Sequence, residues 1–332
     1  MSVLANVPAG IAFLRASLAR LRGDAALATD YNRQALAHLG EDDWLMRSFA
    51  RWNLAVVDWL CGRLGPAERG LAEVLAERRA GGDAFGGFLP MRARYDLGEV
   101  QRAQGNLDAA LATYRQALGT ARESGSQAAL TGPAHVGLAQ VLYERDELAA
   151  ALDHATRGVT LCRQLAFTAA LATGLAVVAR IRHACGDAAG ALETMGEAGR
   201  VELSPQVIPL FNPVPSQRAR LLLAQGDVHA AAQWTTAAGL RPDDEPDYPR
   251  EPAYLVLARV LLAQNDPGPA LTLLQRLLGA AASQSRAGSI VEIQALRALA
   301  LASGGERASA VNTLAEALTL ACPPGLRAGL RR

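Results

Sequence analysis

Arg180, Arg220 and Arg259 stand 40 and 39 residues apart. That spacing is too long for one helix and too regular for scattered surface charge. Guanidinium forks brought to one surface at such intervals clamp carboxylate or phosphate oxygens bidentately. A second group adds aromatic and further basic chemistry: Trp52, Trp59, Tyr95, Tyr143, Arg102 and His183. Trp and Tyr offer flat apolar faces for a sugar or a peptide side chain, each with a polar tip for a hydrogen bond. Together these residue types suit non-covalent recognition of an anionic small molecule or an acidic peptide or protein segment. The plainer reading is that the arginines pair with carboxylates of neighbouring helices, and that Trp52 and Trp59 pack a core.

An internal ruler puts these residues on one surface. At Gly23, Gly62, Gly105, Asp146, Gly186, Gly226, Asn265 and Gly305 a turn residue is followed five positions later by alanine: Ala28, Ala67, Ala110, Ala151, Ala191, Ala231, Ala270 and Ala310. Seven positions before each turn stands another small residue: Ala16, Ala55, Gly98, Ala139, Ala179, Ala219, Ala258 and Ala298. Small residues on both sides of a turn let two antiparallel helices cross closely. The anchors recur at intervals of 39 to 43 residues, the range in which self-similarity signals a helical solenoid. Behind the anchors, Ala110, Tyr114 and Leu118, or Ala270, Leu274 and Leu278, fall at i, i+4 and i+8 on one helical face. The expected fold is all-α: a right-handed superhelical solenoid of about eight helix–turn–helix hairpins, resembling tetratricopeptide repeats (TPRs), with residues 1–332 as one array.

In such an array the first helix of each hairpin lines the concave face, so counting back from the anchors gives its exposed stripe. Six positions back gives Ser17, Val56, Glu99, Gln140, Arg180, Arg220, Arg259 and Leu299; three back adds Arg20, Trp59, Arg102, Tyr143 and His183; ten back adds Phe13, Trp52 and Tyr95. The expected groove is aromatic at its N-terminal end and basic in the middle.

Composition argues against several other functions. The 33 basic and 32 acidic residues give a net charge of +1, with no broad positive field to draw the chain to nucleic acid or an anionic membrane. Every basic residue is arginine, which removes the phosphate-loop lysine and any lysine Schiff base. Cys61, Cys162, Cys185 and Cys322 show no paired spacing and read as reduced thiols of a cytoplasmic protein. His183 with Cys185 does not complete a metal site, no cofactor motif is present, and no Ser, His and Asp grouping stands out; the chain is not expected to be an enzyme. Met1 to Leu14 has no basic start and reads as the first helix. Three connections, residues 80–90, 203–215 and 240–252, are rich in Gly or Pro. They serve as spacers or as part of a binding rim.

The segments Tyr143-Glu-Arg-Asp146-Glu-Leu, Ala224-Gln-Gly226-Asp, Trp234 leading to Ala238-Gly-Leu240, and Tyr254-Leu-Val-Leu-Ala-Arg259-Val-Leu-Leu resemble the superhelical sensor region of MalT-like regulators. The resemblance covers roughly residues 8 to 325. Those bacterial proteins, large ATP-dependent members of the LuxR family, place this region between a nucleotide-binding module and a C-terminal helix-turn-helix, and it receives inducers or inhibitory partners. This sequence carries no phosphate loop before its first repeat and no DNA-reading segment at its end. The resemblance therefore implies a sensor segment for transcription regulation, part of a longer regulator or free-standing; the alternative is a scaffold for protein–protein interaction.

Overall fold

The computed structural model describes residues 6–77, 88–123, 128–201 and 213–321. Among them lie sixteen α-helices in eight hairpins: α1 (Val7–Leu21) with α2 (Ala25–His38), α3 (Trp44–Leu60) with α4 (Leu64–Ala76), α5 (Phe88–Ala103) with α6 (Leu107–Glu123), α7 (Gly132–Glu144) with α8 (Leu148–Gln164), α9 (Thr168–Ala184) with α10 (Ala188–Arg200), α11 (Val214–Ala224) with α12 (Val228–Ala237), α13 (Glu251–Ala263) with α14 (Pro267–Ser283), and α15 (Ala287–Ser303) with α16 (Arg307–Ala321). No described helix is long and apolar enough to cross a membrane. Most of the 80–90 and 203–215 connections, and Cys322, lie outside the described residues.

All eight anchors have a positive φ, from 59° at Asn265 to 88° at Gly186 and Gly305. This left-handed conformation ends one helix, and glycine or asparagine enters it at least cost. Asp24, Asp187 and Asp227, each next in sequence to its anchor, then accept a backbone N–H of the following helix at 2.9 Å, satisfying donors that the helix leaves open. The small residues do what their spacing predicts. Those five after the anchor are fully buried in seven hairpins, and even Ala310 in the last is only 8% exposed.

In the third hairpin the small position is Gly98, and Tyr114 of α6 uses the space. Its ring is fully buried. A Cβ on Gly98 would stand 2.4 Å from the ring, and one on Gly137 of α7 would stand 2.3 Å from it. Two glycines thus make a slot through which the phenol reaches the inner face.

The superhelix also meets itself. Gln284, between α14 and α15, donates from Nε2 to the carbonyl of Cys61 at 2.9 Å, 223 residues away. A Cβ on Gly288 would lie 2.9 Å from the Ala103 carbonyl. The acid- and proline-rich connection at 240–252 completes this closure: Tyr248, in the 3-10 turn Tyr248–Arg250, packs against the apolar cluster of the second and third hairpins. The buried Arg286 guanidinium lies 4.7 Å from the Tyr248 ring centre and pairs with Glu251. Far from being a mere spacer, this connection is a strut across the ring, and Tyr248 and Glu251 face the cavity that it closes.

Candidate functional site

The inner helices α5, α7, α9, α11, α13 and α15, with the end of α3 and the Tyr248 turn, enclose a cavity of about 1070 Å³. That is at the upper end for small-ligand sites. Trp59, Tyr95, Arg102, Tyr143, Arg180, His183, Arg220 and Arg259 all line it, so the register read from the anchors brings eight of nine candidates together. Trp52 stands behind the wall. Its indole N–H donates to Asp96 at 2.8 Å, and its ring lies between the guanidiniums of Arg20 and Arg92, 5.3 and 5.7 Å from the ring centre. Its bonds are internal to the fold.

Counting one turn further back, thirteen residues before the last six anchors, gives Arg92, Pro133, Thr173, Pro213, Pro252 and Glu292, and all six line the cavity, whereas Gly10 and Phe49 at the same position of the first two hairpins do not. This layer was missed by ending the stripe at ten, although it continues the same i, i+3, i+7 pattern. It supplies the acid that matters most, Glu292.

The arginines divide sharply by partner. Arg102 bonds Glu99 and Glu144, each at 3.0 Å, and Glu99 also accepts from the Tyr114 hydroxyl at 2.7 Å and Gln140 at 2.9 Å. That end of the groove is electrically satisfied. Arg220 and Arg259 share one oxygen of Glu292, at 3.2 and 2.6 Å. Arg180 has no carboxylate within 4.0 Å among the described residues; its guanidinium lies over the Tyr143 ring, 4.2 Å from the centre.

Electrostatics follow this division. Burial, with repulsion from Arg220, lowers the Arg180 pKa below the usual arginine value. Burial alone would raise the Glu292 carboxyl, but Arg259, Arg220 and Arg180 outweigh it and hold it down to about 2. Arg220 and Arg259 thus pair with a carboxylate of a neighbouring helix, as the plainer reading expects, while Arg180 is attracted by Glu144 and stacked on Tyr143 with no carboxylate within 4.0 Å among the described residues. His183 reaches the same wall, and its buried Nδ1 has no hydrogen-bond partner among the described residues. No group of three metal-ligating side chains occurs among the described residues, and Cys61, Cys162 and Cys185 are free thiols.

Comparison with known proteins places this architecture. The family described as the MalT-like TPR region matches residues 9–327. The chain belongs to that family. The sequence matches no curated protein, whereas solved TPR structures share its shape at low identity. A Rap protein complexed with competence and sporulation factor superposes with a TM-score of 0.67 at 12% identity, over 96% of this chain and 87% of that one. The Rap conjugation gene regulator of plasmid pLS20, in complex with the Phr* peptide, gives 0.64 at 10% identity over 94% of each chain. Aspartyl phosphate phosphatase F from Bacillus subtilis gives 0.55 at 9% identity, over 98% and 97%. A MalT-like repeat array is a binding scaffold.

Proposed function

We propose that this chain is the effector-sensing solenoid of a MalT-like, LuxR-family bacterial transcription regulator in the cytoplasm, its repeats acting as one unit. Its effector is an anionic small molecule or an acidic peptide segment seated in the cavity. The observation that supports this reading is the charge pattern: Arg220 and Arg259 share one carboxylate oxygen of Glu292, and Arg180 has no carboxylate within 4.0 Å among the described residues, its guanidinium lying over the Tyr143 ring. An incoming carboxylate or phosphate pairs with Arg180 and with the outward side of Arg220, where charge-assisted, bidentate hydrogen bonds are strong. Tyr143, Tyr95 and Trp59 then flank the remainder of the ligand, and Arg102 and His183 border it. The fold shared with a Rap regulator in complex with the Phr* peptide supports a peptide as one class of occupant.

Sensing follows from the scaffold. Each hairpin touches chiefly its neighbours, so small rotations add along the array. A ligand bridging α9, α11 and α13 favours whichever curvature brings those helices together, by its differential affinity for the two shapes. Calorimetric titration of the full chain with citrate, inorganic phosphate, an acidic pentapeptide and the same peptide with its acids replaced by amides tests the reading. Heat is expected from at least one anion, weakening as salt rises, and none from the amide peptide. Equal binding of the acidic and amide peptides, or no heat from any probe, would remove the anionic-effector reading.

A further inference from the structure

The cavity is lined by four acids, and they differ in how fully the fold uses them. Glu99 gives Oε1 to the Tyr114 hydroxyl and Gln140, and Oε2 to Arg102. Glu251 gives one oxygen to Arg286 and the other to Ser289, and Glu292 answers two guanidiniums. Glu144, the last residue of α7, gives only Oε1 to Arg102, which Glu99 already holds at the same 3.0 Å. Its second oxygen is not buried and has no hydrogen-bond partner among the described residues, and its side chain is 25% exposed. Glu144 therefore brings an unused acceptor to the cavity wall.

Arg180 is the matching donor. Its guanidinium lies over the ring of Tyr143, next in sequence to Glu144, and Glu144 attracts it. The two nevertheless do not meet, because no carboxylate lies within 4.0 Å of Arg180 among the described residues. The repeat register explains the gap. Gln140 stands six before its anchor on α7, as Arg180 does on α9, and Glu144 lies four residues beyond Gln140. At about 1.5 Å per residue, Glu144 is displaced about 6 Å along the helix axis from the level of Arg180. An acid and a base thus face one cavity on either side of a gap. A group with a carboxylate and an ammonium on the same carbon spans it, each making a charge-assisted bond of about 2.8 Å. Arg220 adds a further cation beside Arg180. It holds Glu292 at 3.2 Å, against 2.6 Å for Arg259, and its side chain is 42% exposed.

We infer that the ligand is a zwitterion, a free acidic α-amino acid whose α-carboxylate pairs with Arg180, whose ammonium donates to Glu144 and whose side-chain carboxylate reaches Arg220. This rests on the anionic-effector reading above and narrows it. A dicarboxylate without the amine meets the arginines alone, and Glu144 repels it.

Calorimetric titration of the full chain with L-glutamate, N-acetyl-L-glutamate and glutarate tests the inference, since the last two carry both carboxylates without the ammonium. L-glutamate is expected to bind about 10- to 100-fold tighter than either, the gain from one charge-assisted contact. This wild-type comparison needs no variant. In Glu144→Gln, where Arg102 keeps Glu99 and circular dichroism confirms folding, the preference is expected to disappear. L-glutamate binding no tighter than glutarate, or a preference that survives in Glu144→Gln, overturns the zwitterion and leaves the anionic reading standing. Silence from all three compounds also overturns the zwitterion, and citrate then shows whether the anionic reading falls with it.

Discussion

Replacing Gly137 by alanine is expected to destabilise the fold by about 2 kcal/mol, even though alanine is the better helix former by about 1 kcal/mol. The cause is the Tyr114 slot. The new Cβ would stand 2.3 Å from a ring that is fully buried and that leaves no room at Gly98 either, where an added Cβ would stand 2.4 Å from it. Overpacking of a rigid core typically costs about 1–3 kcal/mol, and here the ring cannot shift without breaking the 2.7 Å bond from its hydroxyl to Glu99. The loss therefore falls at the upper end of that range before the propensity gain is subtracted. Urea unfolding of Gly137→Ala checks it, and Tyr114→Leu on the same background is expected to recover at least half the loss. A neutral or stabilising Gly137→Ala would show that the two helices are not held apart by this ring.

Removing the shared carboxylate has the second largest effect. Glu292→Gln leaves Arg220 and Arg259 without the carboxylate they share and weakens the bonds they donate. Charge-assisted hydrogen bonds contribute about 1.5–3 kcal/mol. Because the Glu292 side chain is 37% exposed, solvent screening discounts this to about 1–2 kcal/mol. The sign with pH is fixed by the depressed carboxyl. With a folded-state pKa near 2, against the usual 4.5, Glu292 contributes stability that is fully present above 4.5 and lost as pH falls toward 2. The difference in unfolding free energy between wild type and Glu292→Gln should therefore be constant from neutral pH down to about 4.5 and shrink below it. A difference that stays constant through that acid range would mean that Glu292 is not held by the arginines.

Periodicity carried most of the fold and much of the site because both depend on the same geometry. The anchors needed residues that tolerate a left-handed backbone, and glycine, asparagine and aspartate advertise that tolerance in their type. The closely crossing helices needed small side chains, which alanine reports directly. Once the anchors were fixed, helical geometry alone placed Arg180, Arg220, Arg259 and Tyr143 on the inner wall. What periodicity did not disclose was pairing. Glu292 sits 112 residues from Arg180 and 33 from Arg259, and only the superhelical path brings all three together. Ring closure by Gln284, Arg286 and Tyr248 was equally hidden, because it depends on accumulated twist and no local motif encodes that. Trp52 shows the opposite error. Its register was right, but a buried Asp96 one helix away holds its indole nitrogen in the wall.

The central claim, that unpaired positive charge in the groove exists for an anionic ligand, is tested most directly by measuring affinity and stability together in Arg180→Gln. Arg180 is partly buried, is repelled by Arg220 and has no carboxylate within 4.0 Å among the described residues, so losing it removes an unfavourable burial along with a cation–π contact of about 1 kcal/mol. The two offset, and the unfolding free energy should stay within about 0.5 kcal/mol of wild type. Binding of citrate or the acidic pentapeptide, however, should fall about 10- to 100-fold, the loss of one charge-assisted bidentate contact. Stability kept while affinity is lost supports a groove built for anion recognition. Undiminished affinity in Arg180→Gln, or a loss of stability as large as that in Glu292→Gln, would contradict it.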